Sequence, residues 1–89
     1  MILDTHIEDI SALICNYYND VSKEHVQIQE TRKEFVGDWT VVIFPLIRFS
    51  KKPPPETANE LGEHIMRKID YVKSFNVVKG FLNIEFKQF

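Results

Sequence analysis

Six residues near the end of the chain restrict its fold more than any others. From Phe81 to Phe86 nothing interrupts an extended strand, so Leu82, Ile84 and Phe86 share one face while Phe81, Asn83 and Glu85 share the other. The apolar face needs a cover. A chain of 89 residues has enough apolar surface for one core only, so the cover must come from elsewhere in the same single domain, residues 1–89.

Two segments have the spacing to supply it. Leu3, Ile7, Ile10, Ile14, Tyr17 and Val21 recur at three- and four-residue steps and line one face of a helix running to about Asp20, with Thr5 and Glu8 placed as a capping box unless the helix begins earlier. Ala58, Leu61, Ile65 and Ile69 do the same for a second helix ending near Asp70. Gly62 inside it costs roughly 1 kcal/mol relative to alanine, which implies close approach of another element, expected to be the first helix. Ser50 to Pro55, with two lysines and three prolines, reads as the loop before it.

The remaining strands follow from period-two patterns. Val26 and Ile28 alternate with Gln27 and Gln29, and Trp39 to Phe44 is rich in β-branched and aromatic residues up to Pro45. Thr31 to Gly37 joins them as a polar connection. Residues 71–78 and 81–86 form a pair joined tightly around Lys79 and Gly80. The order is α-β-β-α-β-β: an α+β two-layer sandwich, with a four-stranded antiparallel sheet and two helices on one face.

That arrangement leaves Phe81 and Asn83 side by side on the face the helices do not cover. A ring there can stack on a nucleobase for roughly 1–3 kcal/mol, and an amide beside it can pair with the base edge. Lys79, and Lys51 and Lys52 before the second helix, can meet phosphates, aided by that helix's dipole. The residues alone favour a plainer reading, in which Phe81 covers the sheet edge and the lysines are merely solvated. Net charge is −2, but residues 1–47 carry eight acids and three bases while residues 48–89 carry five acids and eight bases, so phosphate contacts are expected from the second half.

Other functions find little support. His6, His25 and His64 are scattered without metal-site spacing, and no serine or cysteine stands near a base in a nucleophile pattern. Neither a catalytic nor a metal site is expected, and three glycines make no nucleotide-cradling loop. Cys15 is alone, consistent with a reducing compartment and a helix-packing role. No apolar run reaches membrane-spanning length and no secretory pattern opens the chain. It reads as soluble and cytoplasmic.

Four segments, taken in order, resemble a known family: Gly37-Asp38-Trp39-Thr40-Val41-Val42-Ile43-Phe44-Pro45-Leu46; Ser50-Lys51-Lys52; Glu56-Thr57-Ala58 with Leu61-Gly62; and Asn76-Val77-Val78-Lys79-Gly80-Phe81-Leu82-Asn83. They are similar to the N-terminal additional domain of arginyl-tRNA synthetases. The resemblance covers most of residues 37–83 and implies an α-β-β-α-β-β domain that contacts the D-loop corner of tRNA-Arg and orients it, with Phe81 and Asn83 at the positions that receive a base. It further implies a parent ligase whose class I catalytic and anticodon-binding domains lie outside this chain. In that parent, ATP with magnesium and arginine would be handled elsewhere and no cofactor here; the partners would be tRNA-Arg and the other domains, not membrane or DNA. Val78 stands where some members have a base-contacting asparagine, Pro54 where a capping serine is usual, and Trp39 where tyrosine is usual.

Two alternatives stay open. A stand-alone single-stranded RNA-binding domain would account for Lys79-Gly80-Phe81, but Asn83 replaces the second stacking ring and no helix and strand follow. A protein-interaction module fits the acidic net charge.

Overall fold

A computed structural model describes the backbone of residues 2–87 and the side chains of residues 5–87. Helix α1 spans Ile2–Tyr17; strands β1 (Gln27–Glu30) and β2 (Trp39–Val42) follow, then a 3-10 turn (Phe44–Leu46), a short helix α2 (Ile47–Ser50), helix α3 (Pro54–Lys68) and strands β3 (Val72–Val78) and β4 (Phe81–Phe86). The sheet is antiparallel with order β1-β2-β4-β3. This is the expected α+β sandwich, with three short helical turns added, at Lys23–His25, Phe44–Leu46 and Ile47–Ser50.

The register explains the layers. Directly paired residues share a face, and Val41 pairs with Leu82, Trp39 and Phe75 with Ile84, and Val72 with Phe86. These side chains lie beneath the helices, where Leu82, Ile84 and Phe86 join Ile10, Ile14, Leu61 and Ile65 in one buried cluster. Ile7 and Tyr17 are only half-buried, and the Leu3 side chain lies outside the described residues. Because α1 already runs from Ile2, Thr5 and Glu8 sit inside it and do not cap it.

Two boundaries differ from the sequence expectation for local reasons. β2 stops at Val42, because Ile43 is already in the helical region with φ −85° and ψ −27° and leads into the 3-10 turn; Pro45 lies inside that turn and does not mark the strand's end. Residues 47–50, of which the sequence assigns only Ser50, to a loop, form α2, and Lys51 closes it in the left-handed conformation, with φ 59° and ψ 33°. No side chain caps α3; instead Ser50 Oγ accepts from the Lys52 N–H at 3.2 Å and lies 2.6 Å from Thr57 Oγ1, which ties the preceding loop to the helix.

Gly62 does permit close approach, but the neighbour is not α1. A Cβ on Gly62 would stand 2.5 Å from two ring carbons of Phe75 on β3, so the glycine lets α3 lie directly on the sheet. Gly62→Ala gains about 1 kcal/mol of helix propensity but forces the ring out of a packed site, for about 1–3 kcal/mol or more. The variant is expected to be net destabilised, read as a lower urea midpoint at unchanged slope, and the loss should largely disappear in the Phe75→Ala background.

Candidate nucleic-acid interface

On the face away from the helices the register sets up parallel rows. Gln29, Thr40, Asn83 and Asn76 form one row across all four strands; Gln27, Val42, Phe81 and Val78 form the next. Phe81 and Asn83 are therefore on the helix-free face, as the alternation requires. This face is not bare, however. The connection between β1 and β2 folds back over part of it, and Asn83 is only 2% exposed.

The fold-back is held by a chain of hydrogen bonds whose direction can be assigned. Asn76 Nδ2 donates to the Val36 carbonyl at 2.7 Å, and a carbonyl can only accept. Asn76 Oδ1 therefore turns to Asn83 and accepts from its Nδ2 at 3.0 Å. Asn83 Oδ1 must then accept from the Thr40 hydroxyl at 2.6 Å, which leaves Thr40 Oγ1 to accept from the Thr31 hydroxyl at 2.8 Å. The chain begins and ends in the same loop. Gly37 lies over its centre at φ 147°, where an added Cβ would be 3.1 Å from Thr31 Oγ1 and 3.2 Å from Asn83 Cβ.

Beside this staple a cleft of about 190 Å³ stays open. Thr40 and Asn83 contribute to its lining from the sheet, together with Phe81, Val78 and Lys79 from the β3–β4 hairpin. Gln29 from β1 and Arg32 and Phe35 from the loop complete the lining. Two of these residues are cationic and none is acidic, so the cleft is locally positive in a chain of net charge −2. Phe44 lies against Gly80 and meets Phe81 edge-on, centroids 6.4 Å apart.

The sequence-derived candidates thus divide. Phe81, Asn83 and Lys79 share the cleft; Lys51 lines a separate polar cleft with Arg48 and the acid Asp20, among Tyr17, Tyr18, Asn19 and Phe49. Lys52 is engaged by Glu60, which also accepts from the Tyr18 hydroxyl at 2.7 Å. Arg32, Phe35 and Gln29 were not foreseen as cleft residues, and Arg32 comes from the acidic first half of the chain. The one signal for them was the apolar pair Phe35-Val36 inside an otherwise charged connection. The three histidines lie apart, each against an aromatic ring: His6 on Tyr71, His25 on Phe49 and His64 on Tyr17.

Two outcomes follow from these bonds. Asn83→Ala would strand the Thr40 hydroxyl and the Asn76 carbonyl oxygen, costing about 1–3 kcal/mol, and should lower the urea midpoint and speed amide exchange in residues 31–37. For Glu60, burial alone would raise the carboxyl, but hydrogen bonds from Lys52 and Tyr18 outweigh it and hold it below its ordinary 4.5. A depressed folded value means stability present above the ordinary value and lost as pH falls through the lowered one. Denaturation midpoints measured across that acid range should therefore fall less steeply for Glu60→Gln than for the parent.

Comparison with known proteins is consistent across sequence and fold. The family described as Arginyl tRNA synthetase N terminal domain matches residues 2–86. An arginine–tRNA ligase of Parabacteroides distasonis is 52% identical over 68 residues, covering 76% of this chain and 11% of that protein. One of Bacteroides fragilis is 48% identical over 75 residues, covering 84% of this chain and 13% of its own. The chain therefore spans only about an eighth of the length of these relatives. Thermus thermophilus arginyl-tRNA synthetase shares the fold, with a TM-score of 0.74 at 24% identity over 98% of this chain and 14% of its own. The chain belongs to the arginyl-tRNA synthetase N-terminal domain family.

Proposed function

We propose that this domain grips tRNA-Arg for an arginine–tRNA ligase, receiving an unpaired D-loop base in the cleft beside Phe81 and orienting the tRNA for ATP-dependent charging by a class I catalytic domain. The observation that carries this reading is the cleft itself: an aromatic wall, carboxamides and two cations with no acid, on the sheet face turned away from the helices. Phe81 stacks on the base. Lys79 and Arg32 meet the flanking phosphates, where cations suit the backbone and rings suit the splayed-out base. Lys51, beside Arg48 on the second cleft, extends the phosphate track, whereas Lys52 must exchange Glu60 for phosphate to take part. In this reading arginine, ATP and magnesium bind the catalytic domain, and the enzyme works in the cytoplasm.

A protein partner is the second reading, favoured by Phe44 and Val36, which are 52% and 64% exposed. Salt separates the two. In the full-length ligase, Lys79→Ala should reduce the slope of log affinity against log salt by about 1, while a protein partner held by apolar contacts would show little slope. Phe81→Ala should raise the KM for tRNA-Arg by about 5- to 100-fold, the equivalent of a lost stack, with the KM for ATP unchanged. Unaltered charging kinetics in Phe81→Ala would reduce the ring to a structural role.

A further inference from the structure

The second cleft, of about 300 Å³, shares no lining residue with the sheet cleft. We infer that Arg48, which lines it, and the neighbouring His25 hold one backbone phosphate of the tRNA between them. The inference rests on the tRNA reading above and adds a second point of contact elsewhere on the domain. Arg48 Nη2 lies 3.0 Å from His25 Nε2, which is a hydrogen bond only if Nε2 is the ring's acceptor. A neutral imidazole has one acceptor nitrogen, and a guanidinium has none. The backbone N–H of Ser22 points at Nδ1 from 3.1 Å, in the capping box of the Lys23–His25 turn. Its direction is set by the chain, so a proton on Nδ1 would meet it head-on. The Ser22 hydroxyl, 3.2 Å from the same nitrogen, donates its own proton to Glu24 at 2.8 Å. Nδ1 is therefore the acceptor, and Nε2 carries its proton toward Arg48.

Two donors thus confront each other with no acceptor between them. An anion that accepts from both satisfies the pair, and the several oxygens of a phosphate suit the fork of a guanidinium. Phe49 braces both groups: the Arg48 guanidinium lies over its ring at 4.9 Å, and the His25 ring tilts against it with centroids 4.9 Å apart. Among the described residues no carboxylate pairs with Arg48, and Asp20 lines the cleft without an ion pair to Arg48 or Lys51. Arg48 and Lys51 are exposed, so an RNA strand reaches them without disturbing the core. Interfaces with nucleic acid are more polar and more positive than those between proteins. An exposed polar cleft with two cations against one acid therefore suits a phosphodiester better than a packed domain contact.

The test uses the full-length ligase and tRNA-Arg ethylated at single phosphates, each of which removes one negative charge. With the parent enzyme, ethylation of a contacted phosphate weakens binding. Arg48→Ala should weaken unmodified tRNA about tenfold, the loss of a charge-assisted hydrogen bond, and reduce the slope of log affinity against log salt by about 1. Arg48→Ala and His25→Ala should both become indifferent to ethylation of one and the same phosphate, to which Phe81→Ala stays sensitive. A merely loosened turn would weaken binding without erasing the effect of one particular phosphate. His25→Gln, which places an N–H donor near the position of Nε2, should restore most of the affinity. Were Nε2 the acceptor for Arg48, His25→Ala would free the guanidinium and leave binding equal or tighter, which would overturn the inference. A lower thermal midpoint of tRNA-free Arg48→Ala with an unaltered salt slope would assign the arginine to a carboxylate of another domain, and a raised KM for ATP alone would assign it to a nucleotide; either result overturns it. If Phe81→Ala still weakened binding while Arg48→Ala kept every ethylation effect, the phosphate site would fall and the sheet cleft would stand. If none of these variants changed tRNA binding, the tRNA reading itself would fall.

Discussion

The helix-free face depends on the amide of Asn83 being saturated. A carboxamide buried without partners would cost several kcal/mol, but one that accepts from Thr40 and donates to Asn76 contributes to stability and fixes the direction of every bond around it. Because the chain of bonds starts at Thr31 and finishes at the Val36 carbonyl, it closes a loop onto three strands. That closure turns a flat sheet surface into a recess.

Asp38 continues the same logic at the loop's end. Its backbone N–H donates to the Ile84 carbonyl and its carboxylate accepts from the Phe86 N–H, both at 2.7 Å. The residues that fasten the loop are therefore bonded to β4, the strand whose other face is buried against α1 and α3. Core packing and cleft geometry are coupled through one strand: the helices hold Leu82 and Ile84, and these in turn fix the positions of Phe81 and Asn83.

The sequence made the layer arrangement legible because alternation in β4 and three-to-four spacing in α1 and α3 are direct consequences of backbone geometry. It also placed Phe81 and Asn83 on the correct face. It could not show that Asn83 is covered, because the cover is a loop whose path depends on a polar relay between residues 31, 40, 76 and 83, distant in sequence and individually unremarkable. Gly62 was legible as a close approach but not its partner, since Phe75 meets it only once α3 lies across the sheet. Arg32 escaped notice for a related reason: charge counted along the chain assigned the cations to the second half, whereas folding brings a cation of the first half beside Lys79.

The backbone bears on the proposed reading as well. Among the described residues, only Lys51 and Lys79 adopt positive φ without being glycine, at 59° and 54°. A side chain in this region costs on the order of 1 kcal/mol where glycine would cost little. Both residues are exposed and neither belongs to the core. Core packing gives no reason to prefer lysine at either turn, since both side chains are exposed. What lysine adds is a cation held at the tip of a tight turn, once at the hairpin beside Phe81 and once at the end of α2. In the proposed tRNA reading, charge pairing with a phosphate at each turn would offset that conformational cost.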